Sequence, residues 1–251
     1  MVRVNDEAGV RTIALNRPEA LNAFNAQQFN DVTEALLDAQ DDAACRVVVL
    51  TGTGRAFSAG ADLTEMGRSG PRPPHGFPEM LEVIFDFPKP FVVAVNGLGV
   101  GVGATIVGIA DFAFMAESAR LRCPFSELGL VAEAASTHTF PALMGRQQAM
   151  WFLMAAEWMD AAACKAAGLV LDVFADDGFG AAVQAKAAHL AALPTESLSH
   201  MKRLIADPGR ERLHEAAAAE NATLGQLVGG PANREALAAF QEKRKPDFSK
   251  L

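Results

Sequence analysis

Tyrosine is absent from this 251-residue chain, tryptophan occurs twice and cysteine three times. Cys45, Cys123 and Cys164 are odd in number and lack CxxC spacing, so they are expected to be buried free thiols in a reducing compartment, not a disulfide framework. The five histidines (His75, His138, His189, His200, His214) include no HxxxH pair, and no cysteine lies near enough to complete a zinc site. Positive charge is scarce: 22 Lys and Arg against 30 Asp and Glu leave a net charge of −8, which argues against a nucleic-acid surface. Local basic groups and helix N-termini can still hold a small anionic ligand. No segment fits GxGxxG, GxxxxGK[ST] or GxSxG, so dinucleotide, P-loop and serine-hydrolase readings fail. Ser136 and His138 fall on one helix and point in different directions. The most apolar stretch, Phe91–Ala116, is interrupted by Asn96, Asp111 and glycines, which favours a buried strand, turn and helix over a membrane span. The N-terminus lacks a basic segment followed by an apolar one, so no secretory signal is expected.

What is present is apolar bulk, at 50% of residues, enough for one large α/β core with at most a small appendage. Val10–Leu15, Arg46–Thr51, Phe91–Val95 and Phe112–Met115 read as strands, the middle two as continuous buried runs. Between them, Ala26–Gln40, a short stretch near Ala61–Met66, Phe77–Phe87 and Ala104–Ile109 read as helix, and Gly67–Gly76 as an exposed, mobile segment. This alternation predicts parallel sheet with helical crossovers. Beyond Thr137 the chain reads as helix (Thr137–Met144, Gln147–Ala156, Ala161–Ala167, Gly178–Leu193, Ser197–Ala206, Arg210–Leu227, Asn233–Lys243), interrupted only by a strand at Val170–Phe174.

Two segments share one design of buried strand, glycine-bearing turn and helix start: Phe57-Ser-Ala-Gly-Ala-Asp-Leu and Asn96-Gly-Leu-Gly-Val-Gly-Val-Gly. Such turns leave backbone N–H groups unpaired at the positive end of a helix dipole. Two of them converging on one point make an oxyanion hole, which needs small residues and no particular side chain. The same pattern also suits ordinary strand-to-helix connections. A third segment, Pro124-Phe-Ser-Glu-Leu-Gly-Leu-Val-Ala-Glu, supplies two carboxylates. Glu133 lies among Leu130, Val131, Ala132, Ala134 and Ala135, a setting that raises a carboxylate pKa and suits a general base, whereas Glu127 reads as a solvated charge at a turn.

Phe57–Leu63 resembles the F-x-A-G-A-D-[LI] signature of the enoyl-CoA hydratase/isomerase (crotonase) superfamily. Leu15-Asn-Arg-Pro-Glu-Ala-Leu-Asn-Ala-Phe, Pro90-Phe-Val-Val-Ala-Val-Asn-Gly and the tail Phe240-Gln-Glu-Lys-Arg-Lys-Pro-Asp-Phe resemble further segments of that family, in the family's order. The resemblance implies an α/β fold, a spiral of ββα repeats over residues 1–195 with a C-terminal helical trimerisation section over 196–251. It implies an acyl-CoA substrate, a homotrimer or hexamer, and no metal or redox cofactor. It assigns the oxyanion donors to the backbone N–H groups of Ala61 and Val102, the latter replacing the usual glycine. It places coenzyme A along Ala20, Leu21, Ala23, Ser58, Ala59, Asp62 and Leu63, with the tail near Phe248 and Lys250 reaching a neighbour's ligand.

The two glutamate positions of the family's hydratases hold Thr105 and Phe125, while Glu133 falls on the single carboxylate of the peroxisomal-type Δ3,Δ2-enoyl-CoA isomerases, which this chain most resembles. Ala134-Ala135 replaces a glycine expected after it. The implied reaction is double-bond migration through a thioester enolate, with enoyl-CoA hydration or other enolate chemistry, or a non-catalytic acyl-CoA-binding scaffold, as alternatives. Oligomer contacts are expected from Leu213, Leu224, Leu227, Leu237 and Phe240. An alanine-rich, lysine-poor, tyrosine-free composition points to the cytoplasm of a bacterium; the terminal Ser249-Lys250-Leu251 would instead address a peroxisomal matrix.

Overall fold

In the computed structural model, residues 1–65, 73–249 and 251 are described. The strands in chain order are β1 (Val2–Glu7), β2 (Val10–Leu15), β3 (Val47–Gly52), β4 (Ala56–Ser58), β5 (Phe91–Val95), β6 (Leu98–Val100), β7 (Phe112–Ala116), β8 (Arg120–Arg122), β9 (Trp158–Asp160) and β10 (Asp172–Phe174). The helices are α1 (Ala26–Asp41), α2 (Phe77–Asp86), α3 (Val102–Thr105), α4 (Ser136–Met144), α5 (Arg146–Met154), α6 (Ala161–Ala167), α7 (Phe179–Ala191), α8 (Thr195–Leu227) and α9 (Pro231–Gln241).

From β3 to β8 the chain repeats one unit. The first strand of each repeat enters a six-stranded sheet ordered β1-β2-β3-β5-β7-β10, and the second enters a four-stranded sheet ordered β4-β6-β8-β9. Neighbouring repeats pair in parallel in both sheets, β3 with β5 and β7 in one, β4 with β6 and β8 in the other. Residues Val47–Leu50 and all of Phe91–Val95 are buried, as central parallel strands covered on both faces must be. Phe24, Phe57, Phe87, Phe91 and Phe140 are among the largest fully buried side chains, each stabilising the fold by about 1.5–3 kcal/mol. Helix α1 starts at Asn25, whose side chain accepts from the Gln28 N–H at 2.8 Å. It ends on Lys89, whose ammonium donates to the carbonyls of Ala39 (2.6 Å) and Asp42 (2.8 Å).

The structure departs from the sequence reading where elements are short or where tertiary contacts override a local signal. Strand β1, exposed along most of its length, has no apolar alternation; it exists because Ala8 and Gly9, at φ 52° and 80°, close a tight hairpin onto β2. Strands β6, β8 and β9, of three residues each, lie in segments that read as loop or helix, so Val170–Phe174 is not the sole strand of the C-terminal region. No helix forms at the start of Ala61–Met66: Ala61 bridges to Phe24 and turns follow to Glu65. Met66, like residues 67–72 of the segment read as mobile, lies outside the described residues.

The two helices expected on either side of Pro208 are one 33-residue helix, α8. An interior proline costs a helix ~3 kcal/mol. Here Arg210, two residues on, ties α8 to α2 by donating to the Phe85 carbonyl (2.7 Å) and also binds Asp207. Leu213, Leu224, Leu227 and Leu237 are half-buried against their own chain, and of the five apolar residues expected at an oligomer contact only Phe240 stands exposed. The larger bare surfaces are Leu204 and Ile205 on α8, and Met150, Trp151, Met154 and Trp158 on α5 and β9. Among the described residues, no helix is long and apolar enough to cross a membrane.

Asn22 ties the first repeat together. It is fully buried at φ 56°, donates to the carbonyls of Thr53 (2.9 Å) and Ala56 (2.8 Å), and accepts from the Arg17 N–H (2.9 Å). Asn22→Ala orphans the Thr53 carbonyl and the Arg17 N–H, while the Ala56 carbonyl keeps Asn96 Nδ2 at 3.4 Å. With about 1–3 kcal/mol for each group left unpaired, stability is expected to fall by roughly 2–4 kcal/mol, read as an earlier urea midpoint at unchanged slope.

Candidate active site

The site begins with the turn after β4. Phe24 and Ala61 form an isolated parallel bridge, in which the Phe24 N–H donates to the Gly60 carbonyl (2.7 Å) and the Asp62 N–H donates to the Phe24 carbonyl (2.8 Å). In such a bridge the bonds come from the peptides flanking Ala61, so its own N–H points to the opposite side. The equivalent turn after β6 leads through Gly101 into α3, whose first N–H belongs to Val102. Neither the Ala61 nor the Val102 N–H finds an acceptor among the described residues. Both turns need glycine. Gly60 sits at φ 89° and a Cβ there would lie 2.7 Å from the Val100 carbonyl oxygen; Gly101 sits at φ 55° and ψ −123°.

The glycines also show what meets here. A Cβ placed on Gly101 would lie 3.8 Å from the Gly60 Cα and 3.8 Å from Glu133 Oε1. The two turns that carry the spare amides therefore meet beside the Glu133 carboxylate. The Val102 side chain is buried in the main core, which leaves its amide as the group it offers. Glu133 is half-buried and its carboxylate takes no hydrogen bond from the described residues. Burial, and then the negative charge of Glu220, push its pKa up from 4.5 to about 7. An unpaired, partly desolvated carboxylate of that pKa is a base able to take a proton near neutrality.

The residues expected along coenzyme A form one connected loop, and two of their side chains have internal work. Ala20 and Leu21 end a short 3₁₀ turn, and Leu21 accepts the Ala59 N–H at 2.9 Å. The Ser58 hydroxyl is fully buried, donating to the Asn22 carbonyl (2.9 Å) and accepting from Gly60 N–H (3.1 Å), so it shapes the turn and faces no solvent. Asp62 binds Arg17 at 3.1 Å, and Arg17 also donates to the Ala23 carbonyl (2.7 Å). Burial raises the Asp62 pKa, but hydrogen bonds from Thr64 and Arg17 outweigh it and hold the carboxyl below its usual range. Leu63 follows in a half-buried turn.

Elsewhere, Thr105 is fully buried with its hydroxyl on the Gly101 carbonyl (3.3 Å), and Phe125 belongs to the core. Glu127 is exposed but not free: Arg122 binds both its oxygens at 2.8 and 2.7 Å. Cys45, Cys123 and Cys164 are buried free thiols. Two residues that matter here carry no signature in the sequence reading. Arg17 holds Asp62 and the Ala23 carbonyl, and Glu220, from α8, is 5% exposed and bonds to the turn after Glu133.

Strands paired in parallel across two sheets and feeding paired glycine turns are the crotonase class of fold. The chain belongs to the enoyl-CoA hydratase/isomerase family, whose sequence model matches residues 5–250. It is similar to 1,2-epoxyphenylacetyl-CoA isomerase of Escherichia coli (strain K12), at 33% identity over 97% of this chain and 96% of that protein. It is similar to enoyl-CoA delta isomerase 2 of Rattus norvegicus, at 34% identity over 89% of this chain and 59% of the relative. A crystal structure of an enoyl-CoA hydratase/isomerase from Pseudoalteromonas atlantica T6c matches with a TM-score of 0.95 at 33% identity, covering 98% of this chain and 99% of that one.

The raised pKa has a consequence for stability. Glu133 titrates at 4.5 when unfolded and at about 7 when folded, so the native state binds the extra proton between these values and stability falls as pH rises through them. Glu133→Gln mimics the protonated form. At pH 8 the variant should be more stable than wild type by up to about 3 kcal/mol, and at pH 4 nearly equal to it, as read by thermal unfolding across pH.

Proposed function

We propose that this protein is a Δ3,Δ2-enoyl-CoA isomerase that moves a double bond through a thioester enolate, with Glu133 as its single acid–base residue. The reading is carried by one observation: a lone unpaired carboxylate stands beside two unpaired backbone amides. In a 3-enoyl-CoA the thioester oxygen accepts the Ala61 and Val102 N–H groups. Glu133 takes the proton from C2, and the electron pair spreads over the oxygen, C2 and C4 as a dienolate. The amides lower the energy of that oxyanion more than that of the neutral carbonyl, which is what accelerates the step. The protonated Glu133 then delivers the same proton to C4, and the double bond comes to rest between C2 and C3. No water is consumed, and one carboxylate suffices for both transfers.

Hydration asks for more. One group must position water and another must protonate carbon, and the positions that hold those carboxylates in the hydratases hold Thr105 and Phe125 here, one tied to a backbone carbonyl and the other in the core. The names of relatives fall on both sides, with isomerases and a probable enoyl-CoA hydratase of Rhodobacter capsulatus at similar identity, so the reading rests on the site. Coenzyme A would lie along Ala20, Leu21, Ala23, Ser58, Ala59, Asp62 and Leu63, held through backbone and shape, because the Ser58 and Asp62 side chains are engaged internally. The protein would work in the bacterial cytoplasm as a homotrimer or hexamer, with the bare apolar residues of α5, α8 and β9 as its contacts. Sedimentation should find no monomer at micromolar concentration; an active monomer would rule the assembly out.

Glu133→Gln should lower 3-enoyl-CoA isomerisation ~10²–10⁴-fold while leaving coenzyme A affinity within a few-fold, and Glu127→Gln should behave as wild type within a few-fold. The wild-type kcat/KM should rise with pH through an apparent pKa near 7, because the base must be ionised. Faster hydration of a 2-enoyl-CoA than isomerisation of any 3-enoyl-CoA would overturn the assignment.

A further inference from the structure

Glu133 sits on an awkward piece of backbone. The two residues after it, Ala134 and Ala135, are both left-handed, at φ 59° and 54°, and α4 begins at once after them. A left-handed alanine costs about 1–2 kcal/mol, and here two stand in a row without glycine. Something must hold them. Glu220 does: one carboxylate oxygen accepts from the Ala135 N–H at 2.6 Å, the other from the Thr137 N–H at 2.8 Å and the Thr137 hydroxyl at 2.6 Å. The Ser136 hydroxyl and N–H return to the Glu133 carbonyl at 2.7 and 3.1 Å, closing the turn on the base itself. Around this fork Leu81, Phe85, Ala134, Ala135 and Ala217 form an apolar cluster separate from the main core. A carboxylate is costly in such a place unless fully hydrogen-bonded.

We propose that Glu220, reaching from α8, is a positioning residue for Glu133: it grips the turn that carries the base and sets the base's electrostatic surroundings through its own negative charge. The inference rests on the reading of Glu133 as a base and adds a residue that touches neither substrate nor reacting atoms. The other groups near by are accounted for. Cys123, whose thiol is pushed up by burial and then by Glu133, is neutral at working pH. On α2, Glu82 and Asp86 are exposed and pair with His214 of α8, at 3.0 and 3.7 Å. His138 of α4 is half-buried. After burial itself, Glu220 is the group that raises Glu133. A carboxylate at this position thus does two things an apolar residue could not: it fixes a strained turn, and it keeps the neighbouring carboxyl basic enough to accept a proton.

The test is the titration of Glu133 in full-length protein labelled with ¹³C-carboxyl glutamate, its signal assigned by loss in Glu133→Gln. Glu220→Gln removes the charge and should shift the Glu133 midpoint down by about one pH unit. The acid limb of the 3-enoyl-CoA isomerisation profile should move down with it. Glu220→Asp keeps the charge but withdraws it by one methylene, and should give a smaller downward shift; it carries the test if the glutamine variant does not fold. Thr137→Val loses one of the three bonds without touching the charge, and should lower the unfolding temperature while leaving the midpoint in place. An unmoved Glu133 signal in the Glu220 variants, or an equal shift in Thr137→Val, would overturn the proposal and reduce Glu220 to a structural clamp. A shifted signal in a protein with no isomerase turnover would uphold the role of Glu220 and defeat the isomerase reading instead.

Discussion

Parallel pairing of β4 with β6 brings the turns that follow them into van der Waals contact at Gly60 and Gly101, and the rest of the site is built on that contact. Each turn alone is an ordinary strand-to-helix connection with one N–H to spare. In the proposed site the two spare donors share a single oxygen, and the turns that carry them are fixed before any ligand arrives because the sheets on either side are fixed. That rigidity is the useful property. Donors that need no reorganisation stabilise a developing charge more than donors that must swing into place. The glycines are required by both φ and crowding, so a conformational need and a chemical one fall on the same residues.

A second constraint acts against the first. An oxyanion site is useful only beside a base, and a base is useful near neutrality only if it is held partly out of water. Glu133, the proposed base, stands on a turn of two left-handed alanines, a conformation that the local sequence does not favour. The strain and the desolvation are offset from a distance, by α8. Its Glu220 bonds Ala135 and Thr137, and its Ala217 packs in the same cluster as Ala134 and Ala135. The helical section over the spiral is therefore part of the site's support and more than a cover. It also explains why α8 runs unbroken past Pro208, since Arg210 anchors it to α2 on the way to Glu220.

Much of the framework was legible in the sequence because its signals are local. Runs such as Val47–Leu50 and Phe91–Val95 mark central strands, and the two glycine-bearing turns mark where amides are left over. The elements that escaped notice are short or exposed: β1 lacks alternation, and β6, β8 and β9 are too brief for any period to show. The helix expected at Ala61 failed because a bridge to Phe24, 37 positions earlier in the chain, captured the backbone instead.

The sequence by itself determined the family, and it pointed to the two glycine-bearing turns and to Glu133, since each depends on residues adjacent in the chain. Only the tertiary structure decided that the turns meet, that Glu127 is tied to Arg122, that Ser58 faces inward, and that Glu220 grips the turn after Glu133. Glu220 stands 87 positions beyond Glu133 in an alanine-rich helix, where nothing local distinguishes it from a surface charge. The distinction is made by burial and by the three donors that surround it, and these exist only once the chain has folded back on itself.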